Sequence, residues 1–418
     1  MADAYLPRVT DEDLRLDLAA LGAVVIEGPR ACGKTWSASR VAASQVRLDA
    51  DPQAAELARL QPQAILEGAT PRLIDEWQVV PTIWNLVRRA VDDRGRPGQF
   101  VLTGSAVLPP DASRHSGAGR FARLRMRPMS LFESGESTGQ VSLARLLEGE
   151  APAGRSDLAP LDYVDLAVRG GWPALRDADA RTARRFVNGY LGTLVEHDLE
   201  GADARRRDPV RFRRFLEAYA QVVAQTASLN ALRTRVTGAD LPNEALHWTT
   251  VDDYLDAGRR LMLIEEVPAW SPQLRSRTRL AGMVKRNLAD PSLAVSLLGA
   301  DAARLRGDLE TFGFIFESMV LRDVQVYAQA AGATVYHYRE RSGDLEVDAI
   351  VERRDGSWVG IEVKLGSHRI DEAASHLRAL ADRRVARPPQ ALVVITGGPF
   401  AYRRPDGVDV VPLATLAP

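Results

Sequence analysis

The stretch Gly28-Pro29-Arg30-Ala31-Cys32-Gly33-Lys34-Thr35 limits the fold more than any other feature of this chain. It fits the pattern G-x-x-x-x-G-K-[ST] at every fixed position, and that pattern works only between a strand and a helix. The flanks supply both. Ala23-Val24-Val25-Ile26 is a short apolar run suited to a buried strand, and a helical pattern runs from Trp36 to about Ser44. Leu73-Ile74 and Phe100-Val101-Leu102 read as two more buried strands. A helix over about Thr82 to Asp92 and a turn at Gly95-Arg96-Pro97-Gly98 separate them. Strands alternating with helices predict an α/β fold with a parallel, helix-covered sheet.

The chemistry expected of this segment is phosphate binding. Glycines let successive backbone N–H groups curl around an anion, and the helix N-terminus favours its charge. Gly28 to Thr35 are therefore the expected ATP-binding residues, with Lys34 on the β- and γ-phosphates and Thr35 on Mg2+. Leu73-Ile74-Asp75-Glu76 ends an apolar strand in two acids, which suits Asp75 to Mg2+ and Glu76 to polarising the attacking water. The third strand ends in Thr103-Gly104-Ser105, where Thr103 and Ser105 either sense the γ-phosphate or form a simple turn. Arg114, Arg120, Arg123, Arg125 and Arg127 follow with no acid among them. They form either a basic solvated loop or the source of an arginine finger, in the same chain or across a subunit interface. Arg120, after Gly117-Ala118-Gly119, is the chosen candidate. Cys32 reads as a small filler within the loop, with no His nearby in sequence to activate it.

The 418 residues exceed one compact core, so two or three domains are expected. Boundaries are placed at 1–150, 151–304 and 305–418. No run of about 18 uncharged apolar residues suggests a membrane span, and Met1 to Asp13 is acidic with no signal core. A cytoplasmic protein without membrane contact is expected. One cysteine excludes an internal disulfide and a multi-cysteine metal site. The net charge of −1 means that any nucleic-acid site must be a local patch. Of 54 basic residues only Lys34, Lys285 and Lys364 are lysine. Arginine serves well on solvated surfaces but replaces a compact ammonium poorly in a tight site. Lysines that persist in such a chain are therefore candidates for tight sites.

Leu147 to Leu158 reads as a linker or exposed loop, and Leu161 to about Val267 as mostly helical. Ser228 to Ile264, with a turn at Gly238 to Asn243, has the outline of a winged helix. From Leu309 the pattern is a helix, then strands at 334–338, 345–352, 358–364 and 391–396, with a helix from Asp371 to Arg383 before the last. Glu317, Asp348, Glu362 and Lys364 form a second constellation. Glu362 and Lys364, two apart on one strand, share a face. Asp348 on a neighbouring strand and Glu317 on the preceding helix can meet them. Carboxylates that bind Mg2+ beside a lysine match the PD-(D/E)xK nuclease pattern, while acid–x–lysine at a strand edge is also an ordinary ion pair. His368 and His376 nearby are expected at the surface. Arg205-Arg206-Arg207 with Arg211, Arg213 and Arg214 make one basic cluster, and Arg275, Arg277, Arg279, Lys285 and Arg286 another. Either touches DNA or is a solvated, ion-paired face. Trp172 and Trp248 are expected in the core.

The phosphate loop, Leu73 to Gln78, Leu102 to Ser105, Gly119-Arg120 and Pro128-Met129-Ser130 together resemble a prokaryotic group of AAA-type ATPases carrying a C-terminal domain of unknown function, number 4143. Gly170-Gly171-Trp172-Pro173, Leu288 to Leu293, Phe314 to Glu317, Glu346 to Asp348 and Ile361 to Lys364 extend the resemblance from about Leu21 to Leu365. It implies an AAA-type P-loop NTPase core, a helical winged-helix-like middle domain and a small α/β nuclease-like C-terminal domain. It also implies the phosphate, Mg2+ and water roles already given to Lys34, Thr35, Asp75 and Glu76, and a lysine at Lys285. The group's Asp-Pro-Gly-Leu signature reads Asp290-Pro291-Ser292-Leu293 here, and a positive-φ turn at that glycine would strain Ser292.

The expected function is an Mg2+-dependent ATPase that couples nucleotide state to a nucleic-acid-handling, nuclease-like domain. Two alternatives stand beside it. One is an ATP-dependent signalling or defence regulator whose C-terminal domain only binds a protein partner. The other is an ATP-dependent nuclease. DNA, a protein partner and a second copy of the chain are the candidate partners.

Overall fold

The computed structural model describes residues 5–104, 116–199, 207–237, 248–273, 283–340, 345–385 and 387–418. Two compact units form: one from Met1–Pro128, Asp198–Arg206 and Arg260–Met262, the other from Met129–His197, Arg207–Arg259 and Leu263–Pro418.

The first unit opens with helix α1 (Thr10–Ala20) and strand β1 (Ala23–Glu27), followed by α2 (Lys34–Val41), β2 (Ser44–Arg47) and α3 (Pro52–Leu60). β3 (Arg72–Asp75), α4 (Ile83–Arg94), β4 (Phe100–Gly104) and β5 (Phe121–Arg125) complete it. Five parallel strands lie in the order β2-β3-β4-β1-β5, as the alternating pattern requires. Alternation along β1 sends Ala23 and Val25 to one core, with Ile74, Trp84 and Phe100, and Val24 and Ile26 to the other, with Leu14, Leu73 and Val101. Both faces are covered, so β1 carries no polar residue until Glu27.

Two elements correct the sequence reading. The arginine run is in part a strand: in β5 Ala122 and Leu124 face inward while Arg123 projects outward. The stretch expected to be helical up to about Ser44 ends at Val41, and Ser44 opens β2, whose alternate burial marks a sheet edge.

In the second unit the helices Asp162–Arg169, Ala180–Thr193, Pro209–Ala220, Leu229–Thr237 and Trp248–Arg260 make the middle region helical. The turn expected at Gly238 to Asn243 lies outside the described residues. Seven strands form a mixed sheet in the order β10 (Ala333–Arg339), β11 (Glu346–Arg353), β12 (Trp358–Lys364), β13 (Ala391–Thr396), β15 (Asp409–Pro412), β14 (Phe400–Arg403) and β7 (Gly154–Arg155). Chain order begins with β6 (Val141–Ser142), β7 (Gly154–Arg155), β8 (Gln225–Thr226) and β9 (Lys285–Arg286). The 22-residue helix Leu309–Ala330 then leads into β10 (Ala333–Arg339), β11 (Glu346–Arg353) and β12 (Trp358–Lys364). The helix Ile370–Arg384, β13 (Ala391–Thr396), β14 (Phe400–Arg403), β15 (Asp409–Pro412) and β16 (Leu416–Ala417) finish the chain. The expected exposed linker is woven into this sheet: β7 pairs with β14, and the N–H of the buried Ser156 donates to the Pro399 carbonyl at 2.8 Å.

Candidate functional site

β1 delivers the chain to the phosphate loop at the C-terminal edge of the parallel sheet, where open α/β folds bind ligands. Gly28 is fixed by close approach. A Cβ there would lie 2.1 Å from the Met126 carbonyl oxygen. Gly33 caps α2 at φ 106°, a conformation an L side chain resists. Cys32 is buried with its Sγ 3.8 Å from the Met126 oxygen, in keeping with a filler role. The Lys34 ammonium, also buried, donates to the carbonyls of Gly28 at 2.9 Å and Pro29 at 2.8 Å, so it lies across its own loop. Arg30 and Ala31 are exposed. Sequence reasoning missed one support: Arg8, buried, donates to the carbonyls of Cys32 and Arg127, both at 2.7 Å. Two carbonyls ask for a forked cation, but nothing in the residues around Arg8 announces this.

Register brings the acidic pair to the loop. Asp75 ends β3 opposite Thr103 of β4, and Thr103 lies opposite Ile26 of β1. The Thr35 hydroxyl donates to Asp75 Oδ1 at 2.9 Å, and the buried Thr103 hydroxyl donates to the same oxygen. Thr103 is thus a strand residue, and its hydroxyl orients Asp75. Ser105 and Arg114 lie outside the described residues. Glu76 stands in the left-handed region at φ 52°, ψ 45°, rare for a residue with a Cβ. That twist turns its carboxylate out of the strand direction, where the Gln78 amide donates to it. A glycine cradle, a lysine at its mouth and a hydroxyl–carboxylate pair fit magnesium-bound ATP.

Arg120 does not join this group within the chain. Its carbonyl accepts from the N–H of Ala23, at the start of β1, so it stands at the opposite end of the sheet. There its Nε holds Asp92 at 2.8 Å. Arg123 pairs with Glu27 and stacks 5.4 Å from the Trp84 ring centroid.

Glu317, Asp348, Glu362 and Lys364 do come together in the second unit, and Lys285 joins them. Lys285 Nζ lies 2.6 Å from Glu317 Oε1 and 2.9 Å from Asp348 Oδ1. Lys364 Nζ lies 2.7 Å from Glu362 Oε2 and 3.9 Å from Asp348 Oδ2, which also accepts from the N–H of Val363 at 2.9 Å. His376, half-exposed, stands at the rim 4.0 Å from Glu362, and His368 is exposed. Burial pushes Asp348 up, but Lys285 and Lys364 outweigh it and carry it down to about 2. Burial, then the Asp348 charge, pushes Glu317 and Glu362 up to about 8. Three carboxylates face two ammoniums, and the raised values of the two glutamates favour their neutral forms, which relieves the surplus negative charge. The shortage of lysine was the signal for Lys285: both lysines outside the phosphate loop are here.

The remaining motifs form a buried polar network. Asp290 caps the helix Pro291–Leu297 and accepts from the Gly171 N–H at 2.9 Å and from Arg322 at 3.0 Å. Arg322 also holds Asp323 at 2.7 Å, and Asp323 accepts from the Leu131 N–H at 3.0 Å. Ser292 is helical, not in a positive-φ turn, so the expected strain is absent. Its hydroxyl donates to Asp290 at 2.6 Å and accepts from the indole N–H of Trp172 at 2.9 Å. Trp172 is core, as expected; the Trp248 side chain lies outside the described residues. Among the basic clusters, Arg207 is buried in a forked pair with Asp253, and Arg213 pairs with Glu217. Lys285 and Arg286 face inward, and Arg286 donates to the Ala227 carbonyl at 3.0 Å. Arg207, Lys285 and Arg286 are thus buried, while Arg213 is partly exposed; Arg205, Arg206, Arg275, Arg277 and Arg279 lie outside the described residues. No helix among the described residues is long and apolar enough to cross a membrane.

Comparison with known proteins divides the chain in three. Residues 21–134 match the family described as an AAA domain, 161–304 the domain of unknown function 8612, and 312–416 the domain of unknown function 4143. An uncharacterized protein of Mycobacterium bovis and one of Mycobacterium tuberculosis are each 26% identical over 407 residues, 96% of this chain and 82% of theirs. A Walker-type ATPase of Pyrococcus abyssi is similar in structure at 15% identity with a TM-score of 0.40, over 71% of this chain and 97% of that one. The AAA match encloses the phosphate loop, Asp75 and Thr103, so this part of the chain is similar to an AAA domain.

Proposed function

We propose that this protein is an Mg2+-dependent ATPase of AAA type whose nucleotide state governs the rest of the chain. The observation that carries the reading is the pair of hydroxyls, Thr35 and Thr103, that hold one oxygen of Asp75 and so join the phosphate loop, β3 and β4. The backbone of Gly28 to Thr35 would hold the phosphates, with Lys34 exchanging its two carbonyl partners for phosphate oxygens. Thr35 and Asp75 would hold Mg2+, which neutralises developing charge on the phosphates when bound. Glu76 orients the attacking water and takes its proton. Arg120 enters only as a finger acting across a subunit interface, which requires a homo-oligomer.

We divide the chain into a nucleotide module at 1–150, a helical, winged-helix-like module at 151–304 and a C-terminal module at 305–418. The three family matches support this division. For the C-terminal module the primary reading is handling of nucleic acid by a nuclease-like fold. A second reading, binding of a protein partner, is favoured by Lys285, which pairs with two carboxylates that a nuclease would give to metal. ATP turnover with and without double-stranded DNA, following DNA integrity in the same tubes, separates the two. Acceleration by DNA supports the first, and turnover indifferent to DNA sinks it in favour of the second. Mg2+-dependent cutting that Glu362→Ala abolishes would establish a nuclease instead.

A further inference from the structure

The carboxylates Glu317, Asp348 and Glu362 imply, by their PD-(D/E)xK spacing, a divalent metal. The geometry tests that implication and it does not fit. Among the described residues no group of three or more His, Cys, Asp or Glu is arranged to hold a metal ion. Magnesium needs oxygens converging at about 2.0–2.1 Å in an octahedron. Here each carboxylate is already turned to an ammonium: Glu317 to Lys285, Glu362 to Lys364, and Asp348 to both.

We propose that the Lys285 ammonium is the resident cation of this cluster, seated where a divalent metal would bridge Glu317 and Asp348, and that it closes the cluster to metal. Lys285 is no wandering surface chain. Its side chain is 1% exposed, and its backbone is clamped on both sides of β9. Its N–H donates to the Val267 carbonyl at 2.9 Å, and its carbonyl accepts from the Val267 N–H at 2.9 Å. His337, buried nearby, uses its Nε2 on the Met283 carbonyl at 2.8 Å, and among the described residues it joins no group that could hold a metal ion. Composition points the same way independently. A chain that uses arginine for all but three of its 54 basic residues keeps lysine where the cation must be compact enough to sit between two carboxylates. The cluster is then a fixed internal lock joining β9, the helix Leu309–Ala330 and β11. This inference rests on the second unit alone and stands or falls apart from the ATPase reading.

The test uses the full chain without nucleotide and measures Mn2+ uptake by electron paramagnetic resonance alongside melting temperature. The wild type, Lys285→Ala, Lys285→Met, Asp348→Asn and Lys285→Ala with Asp348→Asn are compared; any Mn2+ held at Asp75 is common to all five. Expected is an additional Mn2+ site in Lys285→Ala, with a melting temperature that Mn2+ raises. Lys285→Met, of similar bulk but uncharged, and the double variant should gain no site. Mn2+ uptake by the wild type that Asp348→Asn removes would overturn the proposal. So would a folded Lys285→Ala that takes up no extra Mn2+, or an unfolded one that Mn2+ does not recover, since the metal is expected to replace the ammonium.

Discussion

Thr103 shows how much one hydroxyl can decide. Its residue type is compatible with a phosphate sensor or a turn, but its place in β4 makes it the anchor of Asp75. A hydrogen bond to a charged group contributes about 1.5–3 kcal/mol, so Thr103→Val should slow Mg2+-dependent turnover by about tenfold or more. ATP binding measured without Mg2+ should stay nearly unchanged, because the loop and Lys34 are untouched. Equal loss of both would show that Thr103 acts on the nucleotide itself. Glu76 is the second residue whose role lies in its backbone. A left-handed glutamate at the end of a strand is held against a local cost of about 1–3 kcal/mol, and such strain gathers where a side chain must be aimed.

At the scale of elements, the signature Asp290-Pro291-Ser292-Leu293 is a helix start, and Ser292 uses its hydroxyl twice within it. Placing at Ser292 the glycine of the group this chain resembles should therefore destabilise it. Ser292→Gly loses a buried hydrogen bond to Trp172 and some helix propensity, together about 1–3 kcal/mol, read as a lower melting temperature. An unchanged or higher value would mean the hydroxyl contributes nothing. Strands and helices with strong apolar patterns were legible in the sequence: β1, β3, β4, β12 and β13 all lie where the residues predicted. β2 was not, because three polar residues around a lone Val46 at a sheet edge carry no apolar run. β5 was hidden by its arginines, although Ala122 and Leu124 alternate with them at the period of a strand. β7 was hidden because a two-residue strand inside a glycine- and proline-rich stretch owes its pairing to β14, some 245 residues away in the chain.

Over the whole molecule, the carboxylates of the second constellation were legible in the sequence, and the scarcity of lysine marked Lys285, but not that the two meet. Lys285 stands 32 residues before Glu317 and 63 before Asp348, and no local pattern links charges at that distance. The assembled cluster makes a pH prediction. Glu317 and Glu362 sit near 8 in the folded protein against 4.5 for an ordinary glutamate. The folded state therefore holds a proton that the unfolded chain releases at neutral pH. Its contribution to stability is full below about 4.5 and is lost as pH rises through 8. The melting temperature should fall between pH 6.5 and 9, and fall less in Glu362→Gln. A wild-type melting temperature that holds level or rises over that range would contradict the raised glutamates.

Whether Gly28 to Thr35, Asp75 and Glu76 form one ATP-hydrolysing centre is decided by pairing ATP affinity with turnover in Lys34→Ala and Glu76→Gln. Lys34→Ala should lose both. Glu76→Gln should keep its affinity while turnover falls by about 10²–10⁴, the usual contribution of a positioned base. Turnover that survives in Glu76→Gln, or ATP affinity that survives intact in Lys34→Ala, would contradict such a centre.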